Sequence, residues 1–186
     1  MMIKIFLLTV LFSSSAFARF TMHYSLHYST QATKDGAVKT DKETTFHKLT
    51  FGGSVNAKDT IYLGWNIHSW DTQSAYSNTD SSLQLLEMGP RLIWYLSNKN
   101  SYFLSFDWNP YVRGKRDVQG TKTDVSGSST TLGFGYRFEI SRRTGLGAGL
   151  YYHSVGIKEQ TANETTTKVS DTLSQVLPKL EFTVLF

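Results

Sequence analysis

The sequence predicts an all-β fold, an eight-stranded antiparallel up-and-down β-barrel that crosses a membrane. Residues 1–18 resemble an export signal in composition, and the rest of the chain holds eight segments in which apolar and polar residues alternate. The connections between these segments alternate between short and long. Beyond residue 18 no apolar stretch approaches the roughly 20 residues that a membrane helix needs, so strands would have to make the crossing.

Residues 1–18 have the parts of a cleaved secretory signal. Lys4 supplies a positive charge, a short apolar run follows, and Ala16 and Ala18 are the small residues that a signal peptidase requires. We therefore expect one mature domain, residues 19–186. The chain has no cysteine, so neither a disulfide nor a lipidated cysteine can stabilise or anchor it.

The eight segments have the period-two pattern of strands with one apolar face. In the last segment the apolar residues occupy every second position up to Phe186. The predicted strands lie at about 20–30, 46–55, 61–68, 83–96, 102–113, 131–138, 146–153 and 176–186.

The connections predict which ends of the strands meet. Tight turns are expected at 56–59, 97–100 and 140–144. Long connections rich in Thr, Ser, Lys, Asp and Gly are expected to form four mobile loops, at 31–43, 71–82, 114–127 and 158–172. Short turns on one rim and long loops on the other are the layout of an outer-membrane barrel.

The orientation of the strands follows from the cost of exposing charge to lipid. A charged side chain facing the middle of a bilayer costs about 2 to 4 kcal/mol. The apolar faces should therefore contact lipid, and closure of the sheet satisfies every backbone group. The polar faces should line the lumen with a network of charged residues: Lys48, Glu87, Arg91, Asp107, Arg137, Lys179 and Glu181.

The lumen should be filled by side chains, because eight strands enclose little space. Strand pairing about the turn at 97–100 places Arg91 opposite Asp107 and predicts an ion pair. Buried charges persist when they are paired, so we expect Asp107, Glu87 and Glu181 to neutralise the lumen cations Arg91, Lys48 and Lys179. This network is interpreted as a static plug, with a gate or a proton path as the alternative.

The remaining residues that are predicted to face the lumen are four glycines and the end of the fifth strand. Four glycines are expected to face inward, where they permit curvature, make room for Arg91 and Lys179, or leave a ligand cavity: Gly133, Gly135, Gly147 and Gly149. Tyr111 and Arg113 are expected to continue the inward face of the fifth strand.

Histidines are the only candidate metal ligands that the pattern groups together. His23, His27, His68 and His153 are predicted to face inward, and the last three lie at similar heights. Three imidazoles at one level could bind zinc. Strands one, three and seven are not all neighbours, however, and no close ligand spacing occurs, so we expect no metal site and no other cofactor.

The export signal, the eight strands and the alternation of Leu180, Phe182, Val184 and Phe186 resemble the small outer-membrane barrels of the OmpA/OmpX type. This resemblance covers the whole mature chain. It implies a bacterial outer-membrane location in contact with lipid and lipopolysaccharide. It also implies that the barrel-assembly machinery recognises these four alternate residues of the C-terminal strand, the last of which is aromatic.

We expect a monomeric, non-enzymatic barrel with a structural or surface-interaction role, such as adhesion or membrane integrity, exerted through its long loops. The alternatives are a narrow channel for small solutes and a lipid A deacylase of the PagL type. The nearest match to the deacylase motif is His153-Ser154, but adjacent strand residues project to opposite faces. The net charge of +4 is spread without a basic stripe, so we expect no nucleic-acid partner.

Overall fold

The computed structural model describes residues 19–35, 38–76, 79–96, 101–162 and 164–186. The predicted export signal, residues 1–18, and the predicted turn at 97–100 lie outside this part of the chain. No helical segment of the described chain has the length and apolar character that a membrane crossing requires. The strands are β1 (Phe20–Asp35), β2 (Val38–Ser54), β3 (Ile61–Tyr76), β4 (Thr79–Tyr95), β5 (Tyr102–Val118), β6 (Thr121–Glu139), β7 (Thr144–Ala162) and β8 (Thr165–Leu185).

The eight strands form one closed barrel in chain order, which confirms the predicted fold class. Each strand is antiparallel to its neighbours, and β1 closes the barrel against β8, with Met22 opposite Val184 and Leu26 opposite Leu180. The β1–β8 pairing covers Thr21 to Leu26 against Leu180 to Leu185. Within the described chain, the upper parts of β1 and β8 are therefore hydrogen-bonded on one side only, to β2 and β7.

The strands are longer than predicted, and the prediction of four long mobile loops was wrong. The described strands contain 16 to 21 residues, and most of the residues expected in loops extend β-hairpins. The β5–β6 hairpin turns at Gln119 and Gly120, whose φ angles of 53° and 81° suit a two-residue type I′ turn. Most of the described residues between the predicted strands therefore belong to the sheet.

The apolar and polar faces exchange sides along the barrel, and this explains the error. We call the half next to the turns at 56–59 and 140–144 the lower barrel, and the half next to the turn at 119–120 the upper barrel. In the lower barrel large apolar residues such as Leu92, Phe134 and Leu150 are exposed on the outside. In the upper barrel the inside is apolar and buried, with Trp70, Leu83, Leu85, Val112, Val125, Val155 and Ile157.

A β-bulge in β5 corrects the predicted direction of two side chains. Pairing with β6 passes from Asn109 opposite Ser129 to Val112 opposite Gly127, so β5 contains one extra residue there. The bulge includes Pro110, whose missing N–H excludes it from a regular ladder. As a result Val112 points inward, whereas Tyr111, expected inside, lies outside and is 39% exposed. Arg113, also expected inside, is exposed as well.

The inward glycines make room for aromatic rings, whereas they were predicted to make room for Arg91 and Lys179. A Cβ atom added at Gly133 would lie 2.4 Å from Cδ1 of Tyr151, and one added at Gly135 would lie 2.5 Å from Cζ of Phe103. Tyr151 and Phe103 are both buried. The space that these glycines leave is therefore already filled.

Candidate functional site

The charged residues predicted for the lumen are all buried, none being more than 6% exposed: Lys48, Glu87, Arg91, Asp107, Arg137, Lys179 and Glu181. They come from five different strands. Arg137 is close to the lower rim, where its guanidinium lies 5.2 Å from the ring centre of Tyr95. The others form the centre of the barrel.

Arg91 and Asp107 are the core of an ionic network. The register of β4 on β5 confirms that they face each other, and Arg91 Nε lies 3.4 Å from Asp107 Oδ1. Arg91 also donates to Thr50 Oγ1 at 3.0 Å and to Glu181 Oε1 at 3.1 Å. Lys48 donates to the other oxygen of Asp107. Two carboxylates thus hold two cations in the centre of the lumen.

Glu181 is fully engaged on the β8 side of this network. The hydroxyl of Tyr151 donates to its Oε2 at 2.7 Å. Nδ1 of His23 lies 3.4 Å from its Oε1, and the same nitrogen is 3.0 Å from the hydroxyl of Thr183. The aromatic, imidazole and guanidinium groups together fix the position of this carboxylate.

Lys179 does not have the carboxylate partner that was predicted. Its Nζ lies 3.3 Å from the ring centre of Phe46 and 4.7 Å from that of Tyr151. Among the described residues, no carboxylate oxygen lies within 4.0 Å of it, and Nζ has no hydrogen bond. The buried ammonium is held by the faces of two aromatic rings.

Glu87 also departs from the prediction, because no lysine or arginine of the described chain pairs with it. Its Oε2 accepts hydrogen bonds from the hydroxyl of Ser129 and, at 3.4 Å, from Asn109 Nδ2. Its other close neighbours are imidazoles. His153 Nε2 lies 3.1 Å from Oε1, and His68 Nδ1 lies 3.6 Å from Oε2.

The histidines do not group as predicted. His68 and His153 lie with their ring centres 6.1 Å apart, but His27 is separate and contacts Pro178 O at 2.5 Å and Ser29 Oγ at 3.0 Å. The third member of the central group is Glu87, which sequence reasoning assigned to an ion pair. The register could have shown it, since Glu87 lies directly opposite His68.

One nitrogen of His68, one of His153 and one oxygen of Glu87 lie within 4.8 Å of one another, and all three side chains are buried. We call these residues the His–Glu cluster. Phe46 packs edge-on against both imidazoles, with ring centres 5.0 and 5.5 Å away. Trp70 packs in the same manner against His153, at 5.2 Å. Chemically, two imidazoles and a carboxylate can hold a proton or a divalent metal ion.

A cavity of about 580 Å³ lies in the upper barrel. Trp70, Leu83 and Leu173 form part of its apolar wall, and Ser81 and Gln175 contribute polar groups. Arg116, another lining residue, donates to Asp171 Oδ2 at 2.7 Å. The upper barrel thus contains an open cavity, which we call the mouth, and its wall offers both apolar and polar contacts.

The residues of the deacylase alternative do not form a catalytic pair. His153 points into the lumen and is buried. The hydroxyl of Ser154 lies on the other face, 2.9 Å from that of Ser174. A nucleophile and its base must share hydrogen-bond geometry, which these two neighbours do not.

No family model and no curated protein matches the sequence. Several solved structures are similar to this chain. The crystal structure of Neisserial surface protein A (NspA) is similar with a TM-score of 0.54 at 14% identity, covering 90% of this chain and 97% of that chain. The translocator domain of the autotransporter NalP from Neisseria meningitidis gives a TM-score of 0.46 at 11% identity; the match covers 94% of this chain and 63% of that one. The chain has the fold of small outer-membrane β-barrels.

Proposed function

We propose that this chain is a monomeric barrel of the bacterial outer membrane with a structural or surface-interaction role and no enzymatic activity. The observation that carries the proposal is the exchange of faces between the lower and upper barrel. An apolar exterior below requires lipid, and a polar exterior above requires water. The lower barrel would therefore span the membrane, and the upper barrel would project from one side of it.

The lower barrel supports the membrane part of the proposal. Leu150 and Leu180 are 60% and 62% exposed on its outer face, and a continuous exposed apolar surface of this kind marks a lipid or protein contact. Aromatic residues lie at its borders, with Phe138 and Phe186 below and Tyr28 above. Such girdles are typical of the two membrane interfaces.

The upper barrel supports the interactive part. A strand that crosses a bilayer needs about 9 to 11 residues, whereas β5 has 17 and β8 has 21. The surplus forms hairpins whose outer faces carry residues such as Gln84, Arg113 and Asp124, all exposed. A partner on the cell surface would meet this polar wall and the mouth that it surrounds.

The central network argues against a channel. Lys48 and Asp107 connect strands on different sides of the lumen, and both side chains are completely buried. An eight-stranded barrel is just wide enough for its side chains to fill it. We interpret the network as a plug that fixes the shape of the barrel.

The resemblance of the C-terminal strand supports the proposed partners. Leu180, Phe182 and Phe186 face outward, and Val184 shares their alternation. We propose that the barrel-assembly machinery recognises this strand and that the finished barrel contacts lipid and lipopolysaccharide.

Single-cysteine labelling tests the orientation, because the native chain has no cysteine. Lys122→Cys places a thiol on the upper barrel, and Lys58→Cys places one in the turn at 56–59; both positions are exposed. In intact cells a membrane-impermeant maleimide should label the Lys122 position alone. After the outer membrane is permeabilised, it should label both positions. Equal labelling of the two in intact cells would contradict the proposal.

Two further measurements test the role. Removing residues 116–123 and joining the strands by Asn-Gly shortens the β5–β6 hairpin, since Lys115 pairs with Asp124. If the barrel acts through its surface, this variant should insert normally but fail to restore the detergent resistance or adhesion lost in a deletion strain. Mass spectrometry of lipid A should show unchanged acylation, and planar-bilayer recordings should show no discrete conductance; a positive result in either would favour the corresponding alternative.

A further inference from the structure

We propose that His68, Glu87 and His153 form a binding site for a divalent transition-metal ion, with zinc as the ion that fits best. The site lies in the centre of the barrel and connects β3, β4 and β7. It is independent of the proposed surface role, because it lies below the mouth and involves none of the exposed hairpin residues.

The donor atoms are close to the arrangement that zinc requires. Zinc bonds of about 2.0 to 2.2 Å to nitrogen and oxygen place tetrahedral ligands roughly 3.3 to 3.6 Å apart. His153 Nε2 and His68 Nδ1 lie 3.1 and 3.6 Å from the nearer oxygens of Glu87. One donor from each of the three residues already lies within 4.8 Å of the other two. Small side-chain rotations would close the set around an ion.

The charge of the cluster points to a cation. Glu87 is completely buried, and no lysine or arginine of the described chain lies within 4.0 Å of its carboxylate. A buried carboxylate without a counter-charge is strongly destabilising. Lys48 is engaged by Asp107, and Lys179 lies against Phe46. A metal ion between Glu87 and the two imidazoles would supply the missing positive charge.

His68 provides a second and independent observation. Both of its ring nitrogens are buried and lack a hydrogen-bond partner, although buried polar atoms in proteins are nearly always satisfied. Binding a metal through Nδ1 would use one nitrogen. The other, Nε2, would then carry its proton toward Asp107 Oδ2, which lies 3.7 Å away. Carboxylate, imidazole and metal in this order are typical of zinc sites.

The surroundings orient the other two ligands in the same manner. His153 Nδ1 lies 2.8 Å from the hydroxyl of Thr131, an arrangement that leaves Nε2 free to bind the ion. Ser129 and Asn109 donate to Glu87 Oε2, and Asn109 also donates to Ser129 at 2.9 Å. Three protein ligands leave a fourth position for water, as in His₂Glu zinc sites.

The metal content of the protein tests the proposal. The full-length gene is expressed in cells grown with added zinc, and the folded protein is extracted in detergent and dialysed against EDTA. Because the site is enclosed, zinc acquired during folding should remain, at about one ion per chain. Cells grown with cobalt should yield a protein with the visible absorption bands of tetrahedral Co²⁺.

Matched variants assign the ion to this site. His68→Asn and Glu87→Gln should reduce the bound zinc more than about tenfold, whereas His27→Asn, another buried lumen histidine, should retain it. Thr131→Val keeps all three ligands and should also weaken retention, which provides a test if the ligand variants do not fold. Folding is checked by the gel shift between unboiled and boiled samples. A folded wild-type barrel without stoichiometric metal, or equal loss in His27→Asn, would overturn the proposal.

Discussion

Lys48 and Asp107 form a buried ion pair across the barrel lumen, although their strands β2 and β5 are not neighbours. Arg91, which is opposite Asp107 on the adjacent strand, contacts the same carboxylate. Asp107 is therefore the group on which two buried cations depend. Contacts of this kind connect opposite walls and stabilise the barrel against changes in its cross-section.

Replacing Asp107 by Asn should strongly destabilise the barrel. The change leaves Lys48 and Arg91 short of negative charge, and removing one partner of a buried pair costs about 3 to 5 kcal/mol. The urea midpoint in lipid vesicles measures the effect. The control is Asp171→Asn, which breaks a partly exposed pair with Arg116 and should cost less than about 1 kcal/mol. Equal midpoints for the two variants would contradict the role of Asp107.

Lys179 and Lys48 should respond differently to replacement by Met. Lys179 contacts aromatic rings and no carboxylate of the described chain, so Lys179→Met removes a buried charge and should be neutral or stabilising. Lys48→Met removes a partner of Asp107 and should lower stability by about 3 kcal/mol. The comparison uses unfolding midpoints under identical conditions. A greater loss for Lys179→Met would show that its charge is needed.

Gly133→Ala should destabilise the barrel by about 1 to 3 kcal/mol through overpacking. The new methyl group would lie 2.4 Å from the ring of Tyr151 and 2.5 Å from Ser105 Oγ, and the Tyr151 hydroxyl is held by Glu181. Gly156→Ala is the matched control on the neighbouring strand, because its nearest contact would be Ser128 O at 3.8 Å. Thermal unfolding in detergent distinguishes them, and equal tolerance would mean that the Tyr151 ring can move.

A positive charge on the outer surface should be costly in the lower barrel alone. Leu150→Arg places it against the proposed lipid, at about 2 to 4 kcal/mol. Gln84→Arg places it on the outer face of the upper barrel, where Gln84 is also exposed and water should accept it. Folding into lipid vesicles at increasing urea compares the two. If Leu150→Arg folds as well as Gln84→Arg, the lower barrel does not contact hydrocarbon.

Deleting Phe186 separates assembly in the cell from intrinsic stability. Its amide donates to Phe20 O at 2.8 Å, and its ring lies 5.7 Å from that of Phe20, an aromatic contact worth about 0.5 to 1.5 kcal/mol. We expect a small change in the urea midpoint of protein folded without helper proteins. The amount of folded barrel in the outer membrane should fall much further if Phe186 is part of the assembly signal. Parallel losses would assign Phe186 a stabilising role only.

The lower barrel could be predicted from the sequence, because lipid outside and charge inside impose a strict period of two. The same period, counted from the turn at 97–100, placed Arg91 opposite Asp107 correctly. The upper barrel could not be predicted in this way. Its apolar residues, such as Val112 and Ile157, face inward, and the bulge at Pro110 shifts the alternation by one residue.

The candidate site shows a second limit of sequence patterns. Alternation identifies which residues face the lumen, and it placed His68, Glu87 and His153 there correctly. It does not show which residues meet across the lumen, since β7 is distant in sequence and in strand order from β3 and β4. The distances between opposite walls depend on the size and direction of every side chain in between. The contact of His153 with the His68–Glu87 pair is therefore evident only from the three-dimensional arrangement.

The continuation of the sheet into the hairpins of the upper barrel affects how a surface partner would bind. Flexible loops lose conformational entropy when a ligand immobilises them, and this loss weakens binding. Backbone already held by cross-strand hydrogen bonds has little such freedom left to lose. A ligand at this rim would therefore encounter a preorganised scaffold, and its affinity would depend on the side chains displayed there.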